Sequence, residues 1–259
     1  MTSRLTRFAP SPTGWLHLGH ARAAREAFGF ADEVGGECLL RIEDIDHTRC
    51  KPEYTQGIYE DLRWLGFDWP EPVRVQSQHL RDYAGVAERL RGMGVLYPCS
   101  LSRKEVAARS EGGVFRGQVN AAKPRLGDNP AWRICIPVAQ ALTGSLKFEE
   151  DGVVRHVDFG ALSDDILVRR DIQTSYLIAC THDDAVQGIS DVVRGMDLED
   201  VTPMQVVLQA LMGWESPRYW HHALVMDGPR KLSKRDGDMS LRTLRAQGLH
   251  PEDVWERAP

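Results

Sequence analysis

Apolar and polar positions along this chain alternate between two rhythms. Leu5 to Phe8 reads as a short strand, and the Ala-rich run that follows Leu18 reads as a helix opening near His17 to His20. Between them, Pro10, Pro12 and Gly14 force a turn. Glu37 to Glu43 is a second, more continuously apolar strand. Tyr54, Ile58, Leu62 and Leu65 fall at helical spacing with Gly66 as their stop, and Tyr83, Val86, Leu90 and Met93 repeat the pattern up to Gly94. Strand, helix, strand, helix, helix predicts an α/β sheet of the nucleotide-binding kind.

From about Leu96 the texture changes. Ser102 and Glu105 have the spacing of a capping box, Trp132 to Val138 reads as a strand, and Leu146 to Val154 reads as a hairpin turning at Asp151-Gly152. These segments predict a mixed α+β insertion. The sheet is expected to resume with Ile166 to Arg169, followed by a helical segment from Thr174. Ile189 to Gly195 is a further strand that carries Arg194 to its end. Thr202-Pro203-Met204-Gln205 predicts a capped helix reaching Met212, and Tyr219 to Met226 a last strand. The expected organisation is a first half-domain over 1–95, the insertion over 96–163, the second half over 164–225, and a loop with a short terminal segment over 226–259.

Composition narrows the function classes. The 259 residues carry a net charge of −5, which argues against a surface wholly devoted to nucleic acid. No apolar run is long enough to span a bilayer and no secretion signal opens the chain, so a cytoplasmic location is expected. Five scattered cysteines without a CxxC spacing are expected to be reduced thiols. The basic residues are unevenly placed. Arg4, Arg7, Arg22 and Arg25 precede any acidic residue, and six basic residues between Arg230 and Arg245 face only Asp236 and Asp238.

The chemistry follows from the first turn. A strand, a Gly/Pro turn and a helix N-terminus leave backbone N–H groups and a positive dipole pointing at whatever anion arrives, which makes a phosphate site. His17 and His20 share one face of the opening turn, with Gly19 between them allowing close approach. Glu43, Asp44 and Asp46 lie just beyond a strand end, where open parallel sheets place ligand contacts.

The segment Phe8-Ala9-Pro10-Ser11-Pro12-Thr13-Gly14-Trp15-Leu16-His17-Leu18-Gly19-His20 resembles the HIGH signature of class I aminoacyl-tRNA synthetases in its glutamyl form. Arg230-Lys231-Leu232-Ser233-Lys234-Arg235-Asp236 resembles the KMSKS signature of the same class. The resemblance implies a Rossmann-like catalytic domain split by a tRNA-contacting insertion. It implies ATP with Mg²⁺, held by His17, Gly19, His20 and Lys234, with His17, His20, Lys231 and Lys234 stabilising the phosphates during activation. It also implies a glutamate pocket formed by Arg7, Ser11, Glu43, Tyr176 and Arg194. Glu43 suits an ammonium and the arginines a carboxylate, and which arginine takes which carboxylate is open. Cys180 stands where discriminating relatives often carry asparagine.

The family's structural zinc site is not matched. Cys99 is present, but Leu101, Glu111 and Phe115 stand at or near the other ligand positions, so no metal is expected there. His221, His222 and the His182-Asp183-Asp184 run are read as structural. With no long helical domain after the second signature, the chain resembles the shortened members that lack an anticodon-binding domain. These are the glutamyl-queuosine tRNA(Asp) synthetases, ligases that activate glutamate without tRNA and transfer it to queuosine of tRNA(Asp). A catalytic fragment of an ordinary glutamyl-tRNA synthetase, a silent RNA- or amino-acid-binding paralogue and a small-molecule nucleotidyltransferase are the alternatives.

Overall fold

A computed structural model describes residues 4–117, 129–227, 230–231 and 240–258, with 226–227 and 230–231 described through their backbone. The chain divides into two units, one built from Met1–Gln78, Gly188–Asp200 and Pro217–Pro259, the other from His79–Gln187 and Val201–Ser216.

The first unit is organised on parallel strands. β1 (Leu5–Phe8) pairs with β2 (Glu37–Ile42), and β2 with β3 (Arg74–Val75). β9 (Asp191–Gly195) pairs in parallel with β10 (Arg218–His222). β1 and β9 start side by side, the Ser190 N–H donating to the Leu5 carbonyl at 2.9 Å and the Leu5 N–H to Ser190 Oγ at 2.9 Å. The crossover helix α1 (Leu18–Glu33) buries Ala21, Ala24, Ala27 and Ala31, a three-to-four-residue stripe of small side chains that lets it lie close to the sheet. α2 (Pro52–Trp64) contributes Ile58 and Leu62 to the same core. Two terminal helices, α8 (Leu241–Ala246) and α9 (Pro251–Arg257), return to that core through Leu241, Leu244 and Val254.

At the starting edge of these strands Asp191 is fully buried. Arg4 donates to it at 3.0 and 2.5 Å, Arg218 Nη2 at 3.1 Å, Trp220 Nε1 at 3.2 Å and Ser190 Oγ at 2.8 Å. Burial opposes its charge, but the bonds from Arg4, Ser190, Trp220 and Arg218 outweigh it and hold the carboxyl below the usual carboxylate range.

The second unit begins with α3 (Leu80–Gly92) and the antiparallel sheet of β4 (Leu96–Cys99), β5 (Ala131–Ile134) and β8 (Ile166–Val168). Its short helix α4 (Arg103–Arg109) carries the expected capping box between Ser102 and Glu105. β6 (Lys147–Glu150) and β7 (Val153–His156) form the expected hairpin, with Asp151 and Gly152 at φ of 50° and 74°. Asp164 ties this unit together, accepting from Tyr97 Oη at 2.9 Å, the Gly117 N–H at 2.9 Å and the Ile136 N–H at 3.1 Å.

Three segments depart from the expected pattern. β8, expected to rejoin the parallel sheet, pairs antiparallel with β5 instead. The strand expected over Trp132 to Val138 ends at Ile134, and a helix, α5 (Ile136–Thr143), follows, with Pro137 in its first turn where the missing N–H costs nothing. Thr202, expected to cap the next helix, is instead its first residue. Val201 is the N-cap of α7 (Thr202–Met212), which is entered through a 3₁₀ turn over Met196–Val201.

Candidate functional site

The turn after β1 delivers two histidines to the start of α1. His17 is the N-cap, and its Nδ1 accepts the Gly19 N–H at 3.1 Å. His20 closes the reciprocal bond, its Nδ1 accepting the His17 N–H at 3.1 Å, which makes a capping box built from two imidazoles. The rings lie 3.9 Å apart between centroids. Because both Nδ1 atoms accept backbone protons, the neutral rings carry their own proton on Nε2. Two N–H donors are thus held at the positive end of a sixteen-residue helix. A Cβ at Gly19 would stand 3.0 Å from the His17 ring, a tight contact that the imidazole would have to shift to relieve.

The preceding turn is pinned to the chain beyond β2. The Pro10 carbonyl accepts the Glu43 N–H and the Pro12 carbonyl the Lys51 N–H, both at 3.1 Å, while Ser11 turns the chain by accepting the Thr13 N–H at 2.8 Å. Of the acidic cluster after β2, two members are used internally. Asp44 accepts from the Ser77 N–H and hydroxyl, each at 2.7 Å, and Asp46 accepts from the Thr48 hydroxyl at 2.6 Å and from Arg49 at 2.9 Å. Thr48 above all, against some burial, keeps Asp46 ionised to lower pH than usual. Glu43, at the strand end itself, is only 7% exposed, with Arg41 Nη2 3.5 Å from its Oε1.

Three guanidinium groups are buried at one recurring place. Arg7, Arg41 and Arg194 are each the penultimate residue of their strand (β1, β2 and β9), and all are buried. Parallel strands bring their ends to one edge, the edge at which open α/β sheets bind ligands. Arg194 is held by its neighbour strand. Its Nε donates to His221 Nε2 at 3.2 Å and its guanidinium lies 5.4 Å from the Tyr219 ring centroid. Sequence reading missed both Arg41 and the supporting role of His221. A lone cation inside the apolar run of β2 was the available signal for Arg41; the register that sets His221 opposite Arg194 had none.

The second unit carries Tyr176, the first residue of α6 (Tyr176–Val186), behind the N-cap Ser175. Cys180, one turn on, is buried, and its thiol donates to Asp184 Oδ2 at 3.7 Å. His182 meets Asp183 at 3.1 Å between the rings of Tyr83 and Trp214. All five cysteines are free thiols. Cys38 is pushed up to about 12 chiefly by burial, against the Phe8 backbone and the Arg7 charge. Cys99 packs with Tyr97 and Cys135, and among the described residues no three metal-ligating side chains converge. No helix among them is long and apolar enough to cross a membrane.

Lys231 belongs to β12 (Arg230–Lys231), which pairs antiparallel with β11 (Met226–Asp227); Lys234 lies outside the described residues. Ser240 is bridged to His17 itself.

Parallel strands with buried arginines near their ends and a crossover helix opened by two imidazoles place the first unit among the α/β folds of the nucleotide-binding kind. The profile of tRNA synthetases class I (E and Q), catalytic domain, matches residues 4–256, and the chain belongs to that family. It is 40% identical to the glutamyl-Q tRNA(Asp) synthetase of Rhodobacter capsulatus, over 96% of this chain and 98% of that protein. It is 37% identical to glutamate–tRNA ligase 1 of Ruegeria pomeroyi, over 97% of this chain but only 59% of the ligase. Among solved structures, glutamate-tRNA synthetase from Elizabethkingia anophelis aligns at a TM-score of 0.74 and 29% identity, covering 91% of this chain and 53% of that one. Methionyl-tRNA synthetase of Mycobacterium tuberculosis, at 0.61 and 12%, shares the fold.

Proposed function

We propose that this chain is a ligase that activates glutamate with ATP and transfers it to queuosine in the anticodon of tRNA(Asp). The glutamate α-carboxylate attacks the α-phosphorus, the bond to the bridging oxygen breaks, and pyrophosphate leaves. Such a centre needs in-line positioning and positive charge on its oxygens more than it needs a protein nucleophile. The observation that carries this reading is the double-histidine cap, whose Nε2–H donors and helix N-terminus suit phosphate oxygens. Lys231 and Lys234 are assigned the same task by their signature, and Gly19 the close approach of the nucleotide. Mg²⁺ would travel with the nucleotide phosphates, keeping several of its waters, rather than occupy a protein cage.

Glu43 is assigned the substrate ammonium, with Ser11 beside it, and Arg7, Arg194 and Tyr176 the carboxylates. The insertion over 96–163 is assigned the tRNA. Supporting the queuosine reading is the near-complete coverage of the Rhodobacter protein.

Partial coverage of the longer glutamate–tRNA ligases, at only slightly lower identity, favours a second reading, the catalytic part of an ordinary glutamyl-tRNA synthetase. Glutamate-dependent ATP–pyrophosphate exchange with and without tRNA separates the two. Exchange without tRNA, followed by transfer only to queuosine-containing tRNA(Asp), supports the first; exchange that requires tRNA(Glu) establishes the second.

A further inference from the structure

The backbone that presents His17 is gripped by parts of the chain far from it in sequence. The Leu16 carbonyl accepts the Leu241 N–H at 2.8 Å, and Ser240 bridges to His17. Both leucines are buried, Leu16 at 1% and Leu241 at 0% exposure. Ser240 Oγ caps α8 by accepting the Thr243 N–H at 3.2 Å, so the helix start and the bridge form one piece. Just before this junction the Trp15 ring stands edge-on to Tyr54 of α2, 5.0 Å between centroids, and the Arg242 guanidinium lies 4.3 Å over the Trp15 centroid.

Space for the ring is provided deliberately in the sequence. Gly57 sits inside α2, where glycine weakens a helix, and a Cβ there would come within 2.6 Å of Trp15. α8 is fastened to α2 a second time by Arg245, which meets Glu60 at 3.1 Å and Asp61 at 3.6 Å.

We infer that Trp15 and Arg242 are positioning residues for activation: their stack clamps α8 against the turn before α1 and so fixes the His17 backbone, and through it the imidazole. A capping imidazole has its ring direction set by where its own backbone sits, because Nδ1 must reach the Gly19 N–H. Trp15 is two residues from His17 and Arg242 two residues from Ser240, so the stack and the backbone bridge close one short ring of contacts. Freeing the ring lets the His17 cap sample other orientations, which costs transition-state contacts without altering how substrates are first bound. This inference rests on the activation chemistry proposed above.

The test combines exchange kinetics with ¹⁵N spectra of the imidazoles in the intact chain. Arg242→Ala and Gly57→Ala are expected to lower kcat for glutamate-dependent exchange about five-fold, the size of an exposed cation–π contact of about 1 kcal/mol. The KM values for ATP and glutamate should stay within about two-fold. In the same variants the His17 signal should lose its fixed Nε2–H pattern. Arg242→Lys keeps a cation over the ring and should restore both readouts. Trp15→Phe does the same for the aromatic partner and guards against a variant that fails to fold.

A rise in KM for ATP at unchanged kcat would mean that Arg242 meets the nucleotide itself and would overturn the inference. Unchanged kinetics and unchanged His17 signals in Arg242→Ala would overturn it too. Absence of exchange in the wild-type chain would defeat the proposed activity, while the imidazole spectra would still decide whether the stack orients His17.

Discussion

Asp61 offers a test of the electrostatics of the first unit. It lies on α2 with 0% exposure, and among the described residues neither carboxylate oxygen accepts a hydrogen bond. Arg245 Nη1 stands 3.6 Å from Oδ1, too far to bond, and Arg245 is shared with Glu60. Burial raises the Asp61 carboxyl from 3.8 to about 6; Arg245 and Arg242 pull it back in part, and Glu60 pushes it further up. At about 1.4 kcal/mol per pH unit, this displacement makes the ionised form cost the folded state about 3 kcal/mol. The folded state binds the proton more tightly than the unfolded state, so the cost is absent below about pH 4, grows between about 4 and 6, and is fully present above.

An Asp61→Asn variant cannot ionise. Its stability relative to wild type should therefore rise by about 3 kcal/mol between pH 4 and pH 7.5, whatever constant offset the buried amide introduces. Urea unfolding at a series of pH values measures the difference, and titration of the Asp61 carboxyl ¹³C signal measures the midpoint directly. A stability difference that is flat across this range, with a ¹³C midpoint near 4, would refute the reasoning.

Asp191→Asn removes the charge that Arg4 and Arg218 share and should destabilise the fold by about 3–5 kcal/mol in denaturant unfolding. Its folded carboxyl is depressed, so wild type should keep this contribution above about pH 4 and lose it as pH falls below, a loss the variant should not show. His17→Asn preserves an N-cap acceptor but shortens the reach of the donor, and is expected to lower kcat for exchange about 100-fold or more with little change in thermal midpoint. Arg194→Ala should raise the KM for glutamate by at least about ten-fold more than that for ATP, and equal effects on both would remove Arg194 from the amino-acid pocket. Gly36→Ala places a methyl 2.2 Å from the Arg4 carbonyl and should cost more stability in a thermal melt than any exposed glycine replacement.

Local order was open to reading along the chain. β1, the turn of Pro10 and Pro12, the start of α1 and the Asp151-Gly152 hairpin are set by residues within a few positions of one another, and the structure places them as the pattern predicts. Where neighbours compete, local reading falters. Pro137 and the apolar run after it suit a strand end or a helix start equally, and the helix wins because Ile136 and Ala139 then face the core. Thr202 has the spacing of a cap, yet the chain arrives in a 3₁₀ turn that already supplies helical geometry at Val201.

Sequence by itself determined the chemistry on offer: two histidines at a helix start, cations and an acid at strand ends, and a second basic signature some two hundred residues later. Only the tertiary structure decided what each of these meets. It tied Asp44 to Ser77 and Asp46 to Thr48, buried Glu43 beside Arg41, set His221 behind Arg194 through the β9–β10 register, and brought Ser240 and Arg242 to the turn that carries His17. The physical reason is separation along the chain. Helix caps and tight turns are short-range hydrogen bonds that a few residues can specify, whereas register, burial of a charge and a clamp between distant segments depend on the packing of the whole first unit.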